Sequence, residues 1–265
     1  MGYPAGLHIL ERPGPGPPAP TLVFVHGSLD RADSFGRVMR RLPEFALVAY
    51  DRRGYQGSRA AGVVGLEGHI ADLVDIVTEA RSRGALSVSA IGHSLGGDVV
   101  IGAALAKPAA FDSIGAFEPP MPWLDPAHAG SSTRHRGWRP LTENPADEAE
   151  RFFRRMVSPA AWERLPAVAR SGRRADGPAL AADLASVAGA PPFDVLGLTV
   201  PAVFGKGGTT SDQRHRATVA WLGAHVAGAL VYDVDAARHG AHLSHPDHFA
   251  DFSRCVVERS SWSSS

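Results

Sequence analysis

The chain has 265 residues, 44% of them hydrophobic and 20% charged, an ordinary globular composition with enough length for one domain carrying an insertion or for two small domains. Lys plus Arg and Asp plus Glu number 27 each, so the formal charge is zero and nothing electrostatic points to nucleic acid or an anionic membrane as a partner. The single cysteine, Cys255, excludes an intrachain disulfide and reads as a small buried hydrophobe.

In chain order, MGYPAGLHILERPGPG has no basic region followed by a long apolar run. Neither a signal peptide nor a membrane span is expected, and a cytoplasmic location is the default. Residues 7–11 read as an additional edge strand before a Pro/Gly-rich turn at 13–20. Short apolar runs at 21–26, 46–51, 88–92, 113–117, 200–205 and 229–233 read as strands. Their lack of apolar–polar alternation implies that both sheet faces are covered. Between them, 66–83 carries apolar residues at 66, 70, 73, 74, 77 and 80, one face of a helix. Residues 95–107, 211–226 and 246–258 are further predicted helices. Strands alternating with helices imply a mostly parallel sheet with helices on both faces.

One connection breaks the rhythm. About eighty residues separate the strands ending at Phe117 and starting at Val200, far more than a crossover needs. Helical pieces at 145–157, 159–170 and 178–188, punctuated by prolines, predict an inserted helical cap over 119–195, with 1–118 and 196–265 as the core. Trp123, Trp138, Phe152, Phe153, Met156 and Trp162 supply it with apolar surface, which a disordered linker lacks.

Gly92-His93-Ser94-Leu95-Gly96-Gly97 sits between a predicted strand and a predicted helix. A serine hydroxyl is a poor nucleophile unless it is exposed and paired with a base, and a sharp strand-to-helix turn presents it at the sheet edge. Such a turn needs glycines where side chains would clash, and the helix N-terminus favours developing negative charge.

These residues resemble the α/β-hydrolase family, and the resemblance covers nearly all of the chain outside the cap. His26-Gly27-Ser28 is similar to the family's His-Gly-x oxyanion loop, and Asp51-Arg52-Arg53-Gly54-Tyr55 to the loop after the next strand, although Gln56 intervenes before Gly57 and predicts a different loop shape. The resemblance implies an α/β-hydrolase fold, Ser94 as nucleophile, and an oxyanion hole from the amides of Ser28 and Leu95. It also implies a base in the loop after the last strand. There His239-Gly-Ala-His242-Leu-Ser-His245-Pro246 fits with His239 as the base and His242 as the alternative, Arg238 replacing a usual glycine. The family's usual acid slot, after the seventh strand, falls on Gly208 here. Glu118, in Ala-Phe-Glu-Pro-Pro, is therefore the preferred acid, with Asp212 the alternative and a helix cap its other reading.

A serine nucleophile implies acyl chemistry through an acyl-enzyme and argues against epoxide hydrolase and haloalkane dehalogenase chemistry, which resemble this fold but need a carboxylate there. A carboxylesterase is the leading expectation, and lactonase, thioesterase, carbon–carbon hydrolase, or a non-catalytic binding member of the fold remain open. No metal or other cofactor is expected, because the tail histidines lack a ligand constellation and Gly205-Lys206-Gly207-Gly208 lacks the spacing of a phosphate loop. The expected partner is a small-molecule acyl substrate; oligomeric state is not encoded legibly.

Overall fold

The apolar runs form a sheet whose order is β1-β3-β2-β4-β5-β6-β7. The computed structural model describes residues 2–124, 143–210 and 212–259. The strands are β1 (Ile9–Arg12), β2 (Thr21–Val25), β3 (Ala46–Tyr50), β4 (Val88–His93), β5 (Ser113–Phe117), β6 (Ala202–Gly207) and β7 (Leu230–Val234). β1 pairs antiparallel with β3, and every other pairing is parallel. The edge strand expected at 7–11 thus forms, and it is the one that reverses direction.

Helices cover both faces, as the non-alternating runs require. α1 (Gly36–Met39) and α10 (Pro246–Glu258) lie on one side, and α2 (Leu66–Ser82), α3 (Leu95–Ala106) and α8 (Gln213–His225) on the other. The strand period of two divides the core between them. Val23, Val25, Val88, Ala90 and Ile114 pack with α2 and α3. Leu22, Phe24, Ile91, Phe117 and Val203 pack with Phe35, Phe249 and Phe252.

Between β5 and β6 the chain builds α4 (Pro145–Met156), α5 (Pro159–Arg164), α6 (Ala167–Ala175) and α7 (Gly177–Val187). They enclose their own core of Phe152, Phe153, Trp162, Leu180 and Leu184, joined by Leu29 and Tyr55 from the loops after β2 and β3. The helix predicted over 159–170 is two helices, because Pro166 ends the first and N-caps the second. Trp123 packs on the sheet side, against Phe193, rather than in the insert's core. Trp138 lies outside the described residues. A short α9 (Ala241–Ser244) precedes α10. Among the described residues, no helix is long and apolar enough to cross a membrane.

Candidate active site

The site assembles where four neighbouring strands end. β4 runs into Ser94, which N-caps α3 at φ 53° and ψ −128°. That region is costly for a side-chain-bearing residue, and such strain clusters at functional sites. The turn closes only because its flanks are bare: a Cβ on Gly92 would stand 2.0 Å from Gly96 O, and one on Gly96 would stand 2.2 Å from Val25 O. The Ser94 N–H donates to Phe117 O at 2.9 Å and the Gly97 N–H to Ser94 O at 2.7 Å. Leu95 begins α3, so its own N–H has no carbonyl partner within the helix.

β5 ends one residue before Glu118, which is fully buried and also has positive φ, 47°. Its carboxylate accepts three hydrogen bonds. Oε1 accepts the Gly207 N–H at 2.8 Å and the Thr210 hydroxyl at 2.5 Å, both from the end of β6. Oε2 accepts His239 Nδ1–H at 2.7 Å. Burial pushes this carboxyl up, but the hydrogen bond and charge of His239, with Thr210 and Gly207, outweigh it and hold the group below its ordinary value.

His239 lies in the loop after β7, with 23% of its side chain exposed. Its backbone carbonyl accepts from His93 Nε2 at 2.8 Å, which ties the loop to the residue before Ser94. The His215 ring, from α8, stacks on the His239 ring at 4.5 Å and 19°. Burial, then the nearby His239, lower His215 to about 4, so it is a neutral plate against the imidazole. Ser94 and His239 share no hydrogen bond, and the elbow and the His239 loop are in contact through His93.

The two alternatives take other places. His242 is buried and donates from Nε2 to Asp30 at 3.0 Å, a second imidazole–carboxylate pair behind His93. Asp212 N-caps α8 through the Arg214 N–H at 2.9 Å, away from His239 Nδ1. Arg238, in place of the usual glycine, is exposed and leaves the His239 contacts intact. His26 is internal scaffolding: Nε2 accepts the Arg52 N–H at 2.8 Å and Nδ1–H donates to Gly27 O at 2.7 Å. Gly27 presses on Ser94, since a Cβ there would stand 2.9 Å from that of Ser94.

The inserted Gln56 turns toward the helical insert at φ 41°, donating its N–H to Asp176 Oδ1 at 3.1 Å and its amide to Oδ2 at 2.8 Å. Thr210, His215 and Asp183 carry no sequence signal. None belongs to a motif, and only the fold brings them to the site.

Two trios of potential metal donors, Glu118–His215–His239 and Asp30–His93–His242, each lie within 4.8 Å. In the first, His239 Nδ1 is bonded to Glu118 and the His215 ring stacks on the His239 ring. In the second, His93 Nε2 donates to His239 O and His242 Nε2 to Asp30, while the Nδ1 atoms of His93 and His242 have no partner. His239 and His242 thus do stand in clusters of potential donors, which their spacing in the sequence did not show.

A mostly parallel sheet carrying a serine on a strained strand-to-helix turn, with an imidazole–carboxylate pair from later strands, defines the α/β-hydrolase class. The sequence agrees: residues 22–252 match the alpha/beta hydrolase family, and the chain belongs to it. No curated protein sequence matches the chain. Among solved structures it resembles an alpha/beta hydrolase from Sphaerobacter thermophilus DSM 20745, with 22% identity, TM-score 0.68, and coverage of 96% of this chain and 95% of that one. It also resembles a thermophilic esterase from Thermogutta terrifontis, solved with malate bound, at 18% identity and TM-score 0.69 over 96% and 93% of the two chains. An enol-lactonase from Burkholderia xenovorans LB400 follows at 18% identity and TM-score 0.68 over 95% and 96%. Likeness at these identities carries the fold.

Proposed function

We propose that the chain is a serine hydrolase that cleaves a carboxylic ester or related acyl bond through an acyl-enzyme on Ser94. The observation that carries this is the 2.7 Å bond between His239 Nδ1 and the buried Glu118, beside a serine held at φ 53°. With Nδ1–H donated to Glu118, Nε2 is the free basic nitrogen, the tautomer that a general base needs. Nε2 takes the Ser94 proton as Oγ attacks the carbonyl carbon, and Glu118 stabilises the imidazolium so formed. The Leu95 and Ser28 amides receive the developing oxyanion. The imidazolium then protonates the leaving alcohol, and water attacks the acyl-enzyme by the same relay.

In this reading α4–α7 are the cap over the pocket and choose the substrate. Their bonds to the strand-end loops, Arg52 and Ser28 to Asp183 and Gln56 to Asp176, support that position. An ester, a lactone and a thioester offer the same carbonyl to this machinery, so a panel of the three identifies the acyl class. Ser94→Ala is expected to abolish turnover of a p-nitrophenyl ester while circular dichroism stays unchanged. Retained turnover by the folded variant contradicts the proposal, and turnover absent already in the wild type on every panel member favours a binding role.

A further inference from the structure

A buried polar knot joins the helical insert to the loop beside the nucleophile. Asp183, on α7, and Arg52, after β3, are 1% and 0% exposed and pair twice, Nη1 to Oδ1 at 3.0 Å and Nη2 to Oδ2 at 2.7 Å. Oδ2 also accepts the Ser28 hydroxyl at 2.7 Å and the Tyr55 hydroxyl at 2.6 Å. His69 Nε2 stands 3.3 Å from Oδ1, outside hydrogen-bonding alignment. Arg52 in turn donates from Nε to His26 O at 2.9 Å and from its backbone N–H to His26 Nε2 at 2.8 Å. The segment His26-Gly27-Ser28 is therefore gripped on both sides of Gly27, the residue pressed against Ser94.

We infer that Asp183 is a positioning residue for the oxyanion loop: from the insert, it anchors Ser28 and Arg52 and so fixes the Ser28 amide beside the nucleophile. The catalytic meaning of this clamp rests on the serine-hydrolase reading; the clamp itself rests on geometry. Only an ionised carboxylate suits the place. Three donors converge on one oxygen, and a buried guanidinium needs an opposite charge, because desolvation makes an unpaired ion costly. An asparagine offers one acceptor oxygen and turns an N–H₂ toward donors. The insert is thus part of the machinery that holds the oxyanion hole as well as a cover for it.

The test uses the full-length protein and two variants. Asp183→Asn removes the whole clamp, and Ser28→Ala cuts only the loop's tether while leaving Arg52 paired. Expected for Ser28→Ala is a fall in kcat on the order of tenfold with KM within about twofold, smaller than the roughly 10²–10³ of deleting an oxyanion donor outright. A matching fall in the rate of fluorophosphonate labelling and faster amide hydrogen exchange in the peptide covering 26–34 are expected alongside. Asp183→Asn, where it folds, shows the same pattern with a fall on the order of 10²-fold; where it does not fold, Ser28→Ala decides. Wild-type kcat and unchanged exchange in Ser28→Ala overturn the inference. A wild type that fluorophosphonate does not label defeats the hydrolase reading instead, and the exchange measurement still judges the clamp.

Discussion

Glu118 shows how much of the proposed chemistry depends on the backbone at one residue. At φ 47°, between Phe117 and two prolines, it points a fully buried carboxylate back across the end of β6. Glu118→Gln keeps the volume but presents an amide to His239 Nδ1 and to the Gly207 N–H and Thr210 hydroxyl. It is expected to lower kcat by about 10⁴ with KM little changed, the size of loss seen when the orienting carboxylate of a Ser–His–Asp triad is amidated. Steady-state kinetics on any ester that the wild type cleaves check this, and a loss below about tenfold contradicts the role. Asp212→Asn is expected to cost about 1 kcal/mol or less, as a cap substitution, with kcat unchanged. Urea denaturation and kinetics together separate the two carboxylates. The pairing of Glu118 with His239 was legible in the sequence because Gly208 occupies the usual acid slot and a Glu-Pro-Pro stands at the preceding strand end. Thr210 and His215 were not legible. Their contacts depend on which way β6 ends and which face α8 turns to the site, and neither shows in a spacing.

The elements themselves were legible where burial is uniform. β5 and α10 begin and end where the apolar runs and Pro246 place them. β6 starts at Ala202 rather than Val200, because Pro201 has no N–H for the ladder and contributes only its carbonyl, to Ile114. It also continues past Gly205 through Lys206, whose polarity breaks the apolar run but whose partner Asp233 stands opposite on β7. In the insert, Trp162 is the central packing residue, 2% exposed and 5.4 Å from Phe153 between ring centroids. Trp162→Ala is expected to cost about 3–5 kcal/mol locally. Hydrogen exchange should then loosen α4–α7 while the sheet amides keep their protection; uniform loss across the sheet contradicts an insert with its own core.

Across the whole molecule, burial sets the response to acid. His26 is lowered to about 4 by burial and then by Arg52, and His215 to about 4 by burial and His239. Burial also pushes His69 and His93 down. A histidine whose folded pKa lies below its unfolded value binds its proton preferentially when unfolded. Stability therefore falls as pH drops from about 6.5 toward 4, by about 2 kcal/mol for His26 alone between pH 7.5 and 5. Asp98, raised by burial, has the opposite sign in the same window, one carboxyl against four histidines among the described residues. The urea midpoint is expected to be lower at pH 5 than at pH 7.5, and an equal or higher midpoint contradicts this balance. In the proposed function, fold and insert together make Ser94 an activated nucleophile. The most direct measurement is mass spectrometry of the protein after reaction with a fluorophosphonate, with peptide mapping of the adduct. A single adduct on Ser94 is expected, formed far more slowly in His239→Ala and Glu118→Gln. An unmodified wild type, an adduct on another residue, or equal labelling rates in those two variants contradict it.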